Sequence, residues 1–176
     1  MLLLAQGCGK KESTTGEKKP SRGLIGASLL TLQNPFFKVI GDSLTSEAAK
    51  HGYETVVLSA DNNVQTQSNH VEDFIVKRCA AIVLSPADSK SIVPVIKKAN
   101  AEGIPVFTVD IPCNEPGVKI VTQIATDNFG GGREAATAMI EALGNAGGQV
   151  GVLDLKQVES CILRVKGFKE VIDQHN

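Results

Sequence analysis

The sequence predicts an α/β fold, a doubly wound parallel-sheet lobe followed by only the start of a second α/β lobe. Two observations carry this. From Leu24 onward, short apolar runs alternate with segments of helical period, the pattern of βαβ units around a parallel sheet. The runs, Val56-Val57-Leu58 and Ala81-Ile82-Val83-Leu84 among them, are continuously apolar and do not alternate, as expected of strands covered on both faces. The sheet is therefore expected to be internal.

Strands are placed at 24–29, 54–59, 80–84 and 105–109, with helices between them at 36–51, 64–78 and 89–102. In the third helix Ile92, Val93, Val95, Ile96 and Ala99 trace one face, and Asp88 or Ser89 can cap its start. Gly52 and Gly103 follow helix ends, where a residue tolerant of positive φ is favoured. After a Pro- and Gly-rich loop at 112–117, a strand at 119–125 leads through Thr126-Asp127-Asn128 into a helix that runs to about Leu143. Gly147-Gly148 then precedes an expected strand, 149–155, and a last helix, 161–174. One βα unit cannot bury both faces of its strand, so this last part reads as the beginning of something longer. The expected division is a leader and tether over 1–22, a first lobe over 23–126, and the start of a second lobe over 127–176.

At 176 residues the chain holds one large domain, or one domain and a piece of another. A net charge of −1 leaves no electrostatic footprint for a nucleic acid, which removes polyanionic partners from consideration. Met1 to Cys8 is an apolar run ending in small residues before a cysteine, and Gly9 to Arg22 is polar and Lys-rich, the composition of a disordered tether. The run is too short to span a bilayer. It resembles the end of a bacterial lipoprotein signal, which would make Cys8 a lipid attachment site; the alternative is a leader with an incidental cysteine. Cys79, Cys113 and Cys161 match no zinc spacing. Cys79 reads as a small buried hydrophobe, and Cys113 and Cys161 as loop or turn residues, with no disulfide assigned.

With six Phe, one Tyr and no Trp in the chain, two rings in succession at Asn34-Pro35-Phe36-Phe37 stand out, because the turn follows a strand and open α/β sheets bind ligands beyond the carboxyl ends of their strands. This turn takes its place in a series: Glu47-Ala48 and Gly52-Tyr53, Ser85-Pro86-Ala87-Asp88-Ser89, Gly103-Ile104-Pro105-Val106 to Val109-Asp110, and Ala125-Thr126-Asp127-Asn128 with Gly131-Gly132. In this order over residues 23–176 the series resembles the periplasmic sugar-binding proteins of the ribose-binding type, the type I periplasmic binding protein fold. The resemblance implies two α/β lobes that close on a monosaccharide (pentose, hexose or polyol) and deliver it to an ABC transporter permease or a chemoreceptor. It also implies a periplasmic or cell-envelope location, with membrane attachment only through a lipid anchor. Family members are half as long again or more, so the resemblance implies a C-terminally truncated chain.

A pyranose presents hydroxyls at its edge and C–H groups on its faces. Phe36 and Phe37 have the rings to plate those faces, or to anchor the first helix to the sheet. Asn34 has the side chain to bond hydroxyls, or to cap the helix entered through Pro35. Asp110 ends an apolar strand, where a carboxylate can accept from two adjacent hydroxyls or serve as a loop carboxylate. The resemblance places a polar contact at Ser85 and an arginine at Arg164, four residues before Phe168; Arg164 read alone is equally a helix-surface charge. In the family the residue after the aspartate is often Arg, and here it is Ile111. Asp127 and Asn128 are expected to serve the hinge and cap the following helix, with Asp127 a minor contact.

Two other classes compete, and a third reading makes the chain a nonfunctional half-length fragment of a longer gene product. The effector-sensing core of LacI-type repressors resembles the same region but carries a helix-turn-helix, for which residues 1–22 are too few. For an enzyme, His51, His70 and His175 are expected at helix ends or exposed positions, and Asp110 and Ser85 lack a base. The reading is a binding protein with no catalytic residues, cofactor or metal site.

Overall fold

The structure is a computed structural model that describes residues 21–175. Cys8 and most of the expected tether lie outside the described residues. The element order is β1 (Leu24–Leu29), α1 (Pro35–Lys50), β2 (Glu54–Ser59), α2 (Val64–Val76), β3 (Ala81–Leu84), α3 (Val93–Ala101), β4 (Val106–Val109), β5 (Thr122–Ile124), α4 (Asn128–Leu143) and α5 (Glu159–Ile172). The five strands are all parallel, in the order β2-β1-β3-β4-β5. From β1 the chain winds outward to β2, then crosses back to β3 on the other side. The end of β1 is therefore a topological switch point, where an open sheet forms its crevice.

Side-chain alternation divides the sheet into two unlike faces. Ile82 and Leu84 of β3 and Val106 of β4 point to α2 and α3, where they are buried with Val71, Phe74, Val95, Ile96 and Ala99. The other face does not match the expectation of an internal sheet. Among the described residues the helix that covers it is α1, over β1 and β2, with Val158 and Cys161 joining at the end of β1. Beside it runs an apolar groove of about 560 Å³ along Ile25, Val83, Phe107, Val109 and Ile124, with Ile40 and Leu44 of α1 as its wall. The continuous hydrophobicity of these strands is thus answered by α2 and α3 on one side and, over β1 and β2, by α1 on the other.

Two element boundaries also differ from expectation. α3 begins at Val93 and not at 89, because Asp88 Oδ1 accepts from the N–H groups of Lys90 (2.9 Å) and Ser91 (2.7 Å), closing a separate turn first. Pro94 sits in the first turn of α3, where its missing N–H costs nothing. No strand forms at 149–155: a parallel strand needs a neighbour, and this segment has none among the described residues. Leu153 lies open to solvent. Cys161 is in the first turn of α5, not a loop, while Cys79 and Cys113 are buried. Gly52 and Gly103 take the expected positive φ, +80° and +73°.

α4 and α5 pack on each other through glycine. A Cβ on Gly132 would collide with the carbonyl oxygen of Arg164, and one on Gly167 with that of Phe129, so each helix rests on the other's backbone. By contrast, a Cβ on the neighbouring Gly131 would meet nothing within 4 Å. Gly132→Ala should therefore cost about 1–3 kcal/mol through overpacking. Gly131→Ala should be neutral or stabilise by up to about 1 kcal/mol through its helix propensity. Urea midpoints measure both, and equal shifts would show that this close approach does not govern the packing.

Candidate ligand-binding site

The turn after β4 builds the centre of the site. Asp110 has φ +66°, and the Ile111 N–H donates to the Val109 carbonyl at 2.8 Å, closing a γ-turn with Asp110 at its middle. A positive φ is tolerated best by Gly, Asn and Asp, and such strain concentrates at binding sites. The turn is held from the side by the Asp110 N–H, which donates to the Ile124 carbonyl of β5 at 2.8 Å. Burial pushes the Asp110 carboxyl above the ordinary carboxylate range, and the Arg164 guanidinium pulls against it. The fold thus brings the two charged residues expected at the site into electrostatic range, one from the turn after β4 and one from α5.

The Phe pair divides its work. Asn34 caps α1, its Oδ1 accepting from the Phe36 N–H at 3.0 Å, while its exposed Nδ2 has no partner among the described residues. Phe36 is 52% exposed and meets Phe37 edge to face, ring centroids 5.2 Å apart. Phe37 is only 5% exposed and packs with Leu29, Ile111 and Val158. Of the two rings, Phe36 is the open plate and Phe37 the inner wall, covered by the residue that leads into α5.

Ser85 follows β3 and is fully buried, and its hydroxyl has no hydrogen-bond partner. Its main chain is held by Gln67, a fully buried side chain of α2. Gln67 Nε2 donates to the carbonyls of Ser28 (3.1 Å) and Ser85 (2.9 Å), and its Oε1 accepts from the Ala87 N–H (2.8 Å). One amide thus ties the end of β1 to the end of β3 and to the loop beyond. Sequence reasoning passed over Gln67, although the signal was present: it lies on the stripe Val64, Gln67, Val71, Phe74 that α2 turns to the core.

The loop after β3 reaches α5 through Ser89, another residue not singled out for this role. Its N–H donates to the Gln157 carbonyl (3.0 Å), its hydroxyl accepts from the Glu159 N–H (3.1 Å), and its carbonyl accepts from the Cys113 thiol (3.2 Å). Asp127 caps α4, its Oδ1 accepting from the Gly130 N–H at 2.9 Å, and the buried Asn128 bonds the Thr126 carbonyl. The glycines at 130–132 lie within α4. A cavity of about 960 Å³ lies between the ends of α4 and α5 and the unpaired segment around Gly148 to Val152. It lies beside a segment that joins no sheet among the described residues, and its lining holds none of Asn34, Phe36, Phe37, Ser85, Asp110 and Arg164.

His70 is not at a helix end or fully exposed, as expected, but midway along α2 and half-buried, its Nδ1 3.0 Å from the Ser28 hydroxyl. The pair has the spacing of a nucleophile and base, yet Ser28 is fully buried and closed to any substrate. Burial lowers the His70 pKa below its ordinary value, against the pull of Asp73 and Asp61. A depressed folded-state pKa means the unfolded chain takes up protons first, so this contribution to stability is present above about pH 6.5 and lost as pH falls through the folded value. Urea unfolding between about pH 7.5 and pH 5 should show that loss in the wild type and a flatter profile in His70→Gln. Identical slopes in the two proteins would remove His70 from the acid response.

The described residues thus form a parallel α/β lobe with a polar and aromatic crevice at its switch point, met by the helix α5. The chain belongs to the periplasmic binding protein family, whose domain description matches residues 25–176. It is 36% identical over 141 residues to a D-apiose import binding protein of Paraburkholderia graminis, covering 80% of this chain and 45% of that one. It is 34% identical over 165 residues to a ribose import binding protein of Bacillus subtilis, covering 93% and 52%. Among solved structures, an ABC transporter solute binding protein from Bacillus halodurans with bound myo-inositol superposes with a TM-score of 0.79 at 25% identity, covering 92% of this chain and 55% of that one. The chain thus spans about half the length of the relatives it matches.

Proposed function

We propose that this chain carries the first-lobe half of a monosaccharide site, in a protein that captures a pentose, hexose or polyol outside the cytoplasm for an ABC importer or chemoreceptor. The observation that supports it most is the half-buried Asp110, held in a strained γ-turn at the end of β4, with the charge of Arg164 of α5 near enough to act on its carboxyl. A carboxylate there accepts from two neighbouring hydroxyls, and a guanidinium opposite donates to ring or hydroxyl oxygens in a planar fork. Phe36 stacks on the C–H face of the sugar, Phe37 backs it, and the Asn34 amide adds polar contacts, while the Ser85 hydroxyl, as fully buried as that of Ser28, is closed to the sugar. A periplasmic or envelope location belongs to the same reading. Attachment through a lipid on Cys8 would follow from mass spectrometry of the membrane fraction, and an unmodified Cys8 with Met1 retained would reject it.

Thermal unfolding of the purified chain across pentoses, hexoses and polyols tests the proposal. One sugar should raise the transition, as a ligand that binds only the folded state must. Asp110→Asn keeps a residue suited to positive φ yet should abolish most of that rise. Phe36→Ala should weaken binding by about 1–2 kcal/mol, the scale of part of one aromatic face removed from water. A transition that no sugar moves, or variants that behave as wild type, would defeat the assignment.

A further inference from the structure

We propose that Ser89 is a positioning residue: it caps α5 from across the crevice and so holds Arg164 over the ligand edge of the first lobe. An α-helix begins with N–H groups that have no partner within the helix, and a side-chain oxygen at the cap position ordinarily takes one of them. α5 has no such cap of its own. Its cap residue is Val158, whose side chain makes no hydrogen bond. The Ser89 hydroxyl, 70 residues earlier in sequence, accepts the Glu159 N–H instead, while the Ser89 N–H takes the Gln157 carbonyl. The two bonds clasp the backbone on either side of Val158.

The clasp is built to be stiff. Ser89 is 3% exposed, and its remaining polar group, the carbonyl, is engaged by the Cys113 thiol. The residues before and after it are tied as well: the Ala87 N–H to Gln67, and the Lys90 and Ser91 N–H groups to Asp88. Downstream, Val158 and Cys161 pack in the cluster that contains Ile111, the residue next to Asp110. Arg164 lies three residues beyond Cys161, on the same side of the helix. The position of α5 relative to Ser89 therefore sets how near the guanidinium stands to Asp110. That these two charges hold a sugar rests on the proposed function; the clasp itself does not.

The Asp110 carboxyl, followed by carbon-detected NMR through a pH titration of the whole chain, reports the clasp without any ligand. Arg164→Met should move the Asp110 midpoint to higher pH, since the opposing cation is gone and burial remains. Ser89→Ala should move it in the same direction as α5 lifts, and Ser89→Thr, which restores a hydroxyl, should return it toward wild type. If Ser89→Ala fails to fold, Ser89→Cys keeps the shape, weakens the acceptor and should give the same upward movement. Where a sugar binds, Ser89→Ala should lower affinity roughly fivefold, the size of a lost helix cap. An Asp110 titration unchanged by Ser89→Ala, even with earlier melting, would make Ser89 a stabilising residue only and overturn the proposal. So would an Asp110 titration indifferent to Arg164→Met. A chain that binds no sugar but shows all the expected titrations would defeat the functional reading and leave the clasp standing.

Discussion

The arrangement of the crevice depends on one buried amide. Where β1 and β3 end, the Ser28 carbonyl still accepts from the Ser85 N–H at 3.0 Å, but the Ser85 carbonyl has no further strand to bond. Gln67 meets that need from α2, donating to the Ser28 and Ser85 carbonyls and accepting from the Ala87 N–H. The three bonds use the amide nearly to capacity, which is why it can be wholly buried without the cost of an unpaired polar group. An apolar replacement of the same shape would strand the Ser85 carbonyl and the Ala87 N–H at once, and leave the Ser28 carbonyl with the Ser85 N–H alone. The loop that carries Ser89 starts from this anchor, so the placement of α5 traces back to it.

The strands were legible because burial of a parallel sheet demands uninterrupted apolar residues, and runs such as Val56-Val57-Leu58 state that demand locally. What local pattern did not convey was whether the cover exists. The same hydrophobicity that placed β3 and β4 implied helices on both sides, and the open strip over Val83 and Phe107 contradicts it. Similarly, Gln149 to Leu155 has a strand's composition and no strand's pairing, since pairing belongs to the neighbours. Asp110 was legible as an acid at a strand end. Its positive φ was not, because the turn is shaped by the Ile124 carbonyl of a strand that comes later. Ser89 was readable only as a local cap, and its actual partner lies too far along the chain for any spacing rule to find.

α5 itself shows how weak local signals combine. It lacks its own N-cap, and its contact with α4 relies on small residues more than on a broad apolar stripe. Such a helix is marginal alone and gains its order from tertiary contacts. Here those contacts are backbone against backbone at Gly132 and Gly167, and the bonds to Ser89 at the other end. The first fixes the separation of the helix axes; the second fixes where the helix begins. Together they determine the reach of Arg164 without any direct bond to the residue it faces.

The groove beside α1 has a thermodynamic signature of its own. Apolar surface that stays hydrated in the folded state is not newly exposed on unfolding, and newly exposed apolar surface is the main source of the positive heat-capacity change. With Val83, Phe107, Val109 and Ile124 open along a groove of about 560 Å³, that heat capacity is smaller than for a lobe of equal length with both sheet faces sealed. The stability of this lobe therefore varies less steeply with temperature, and any partner that seals the strip steepens the curve as it binds.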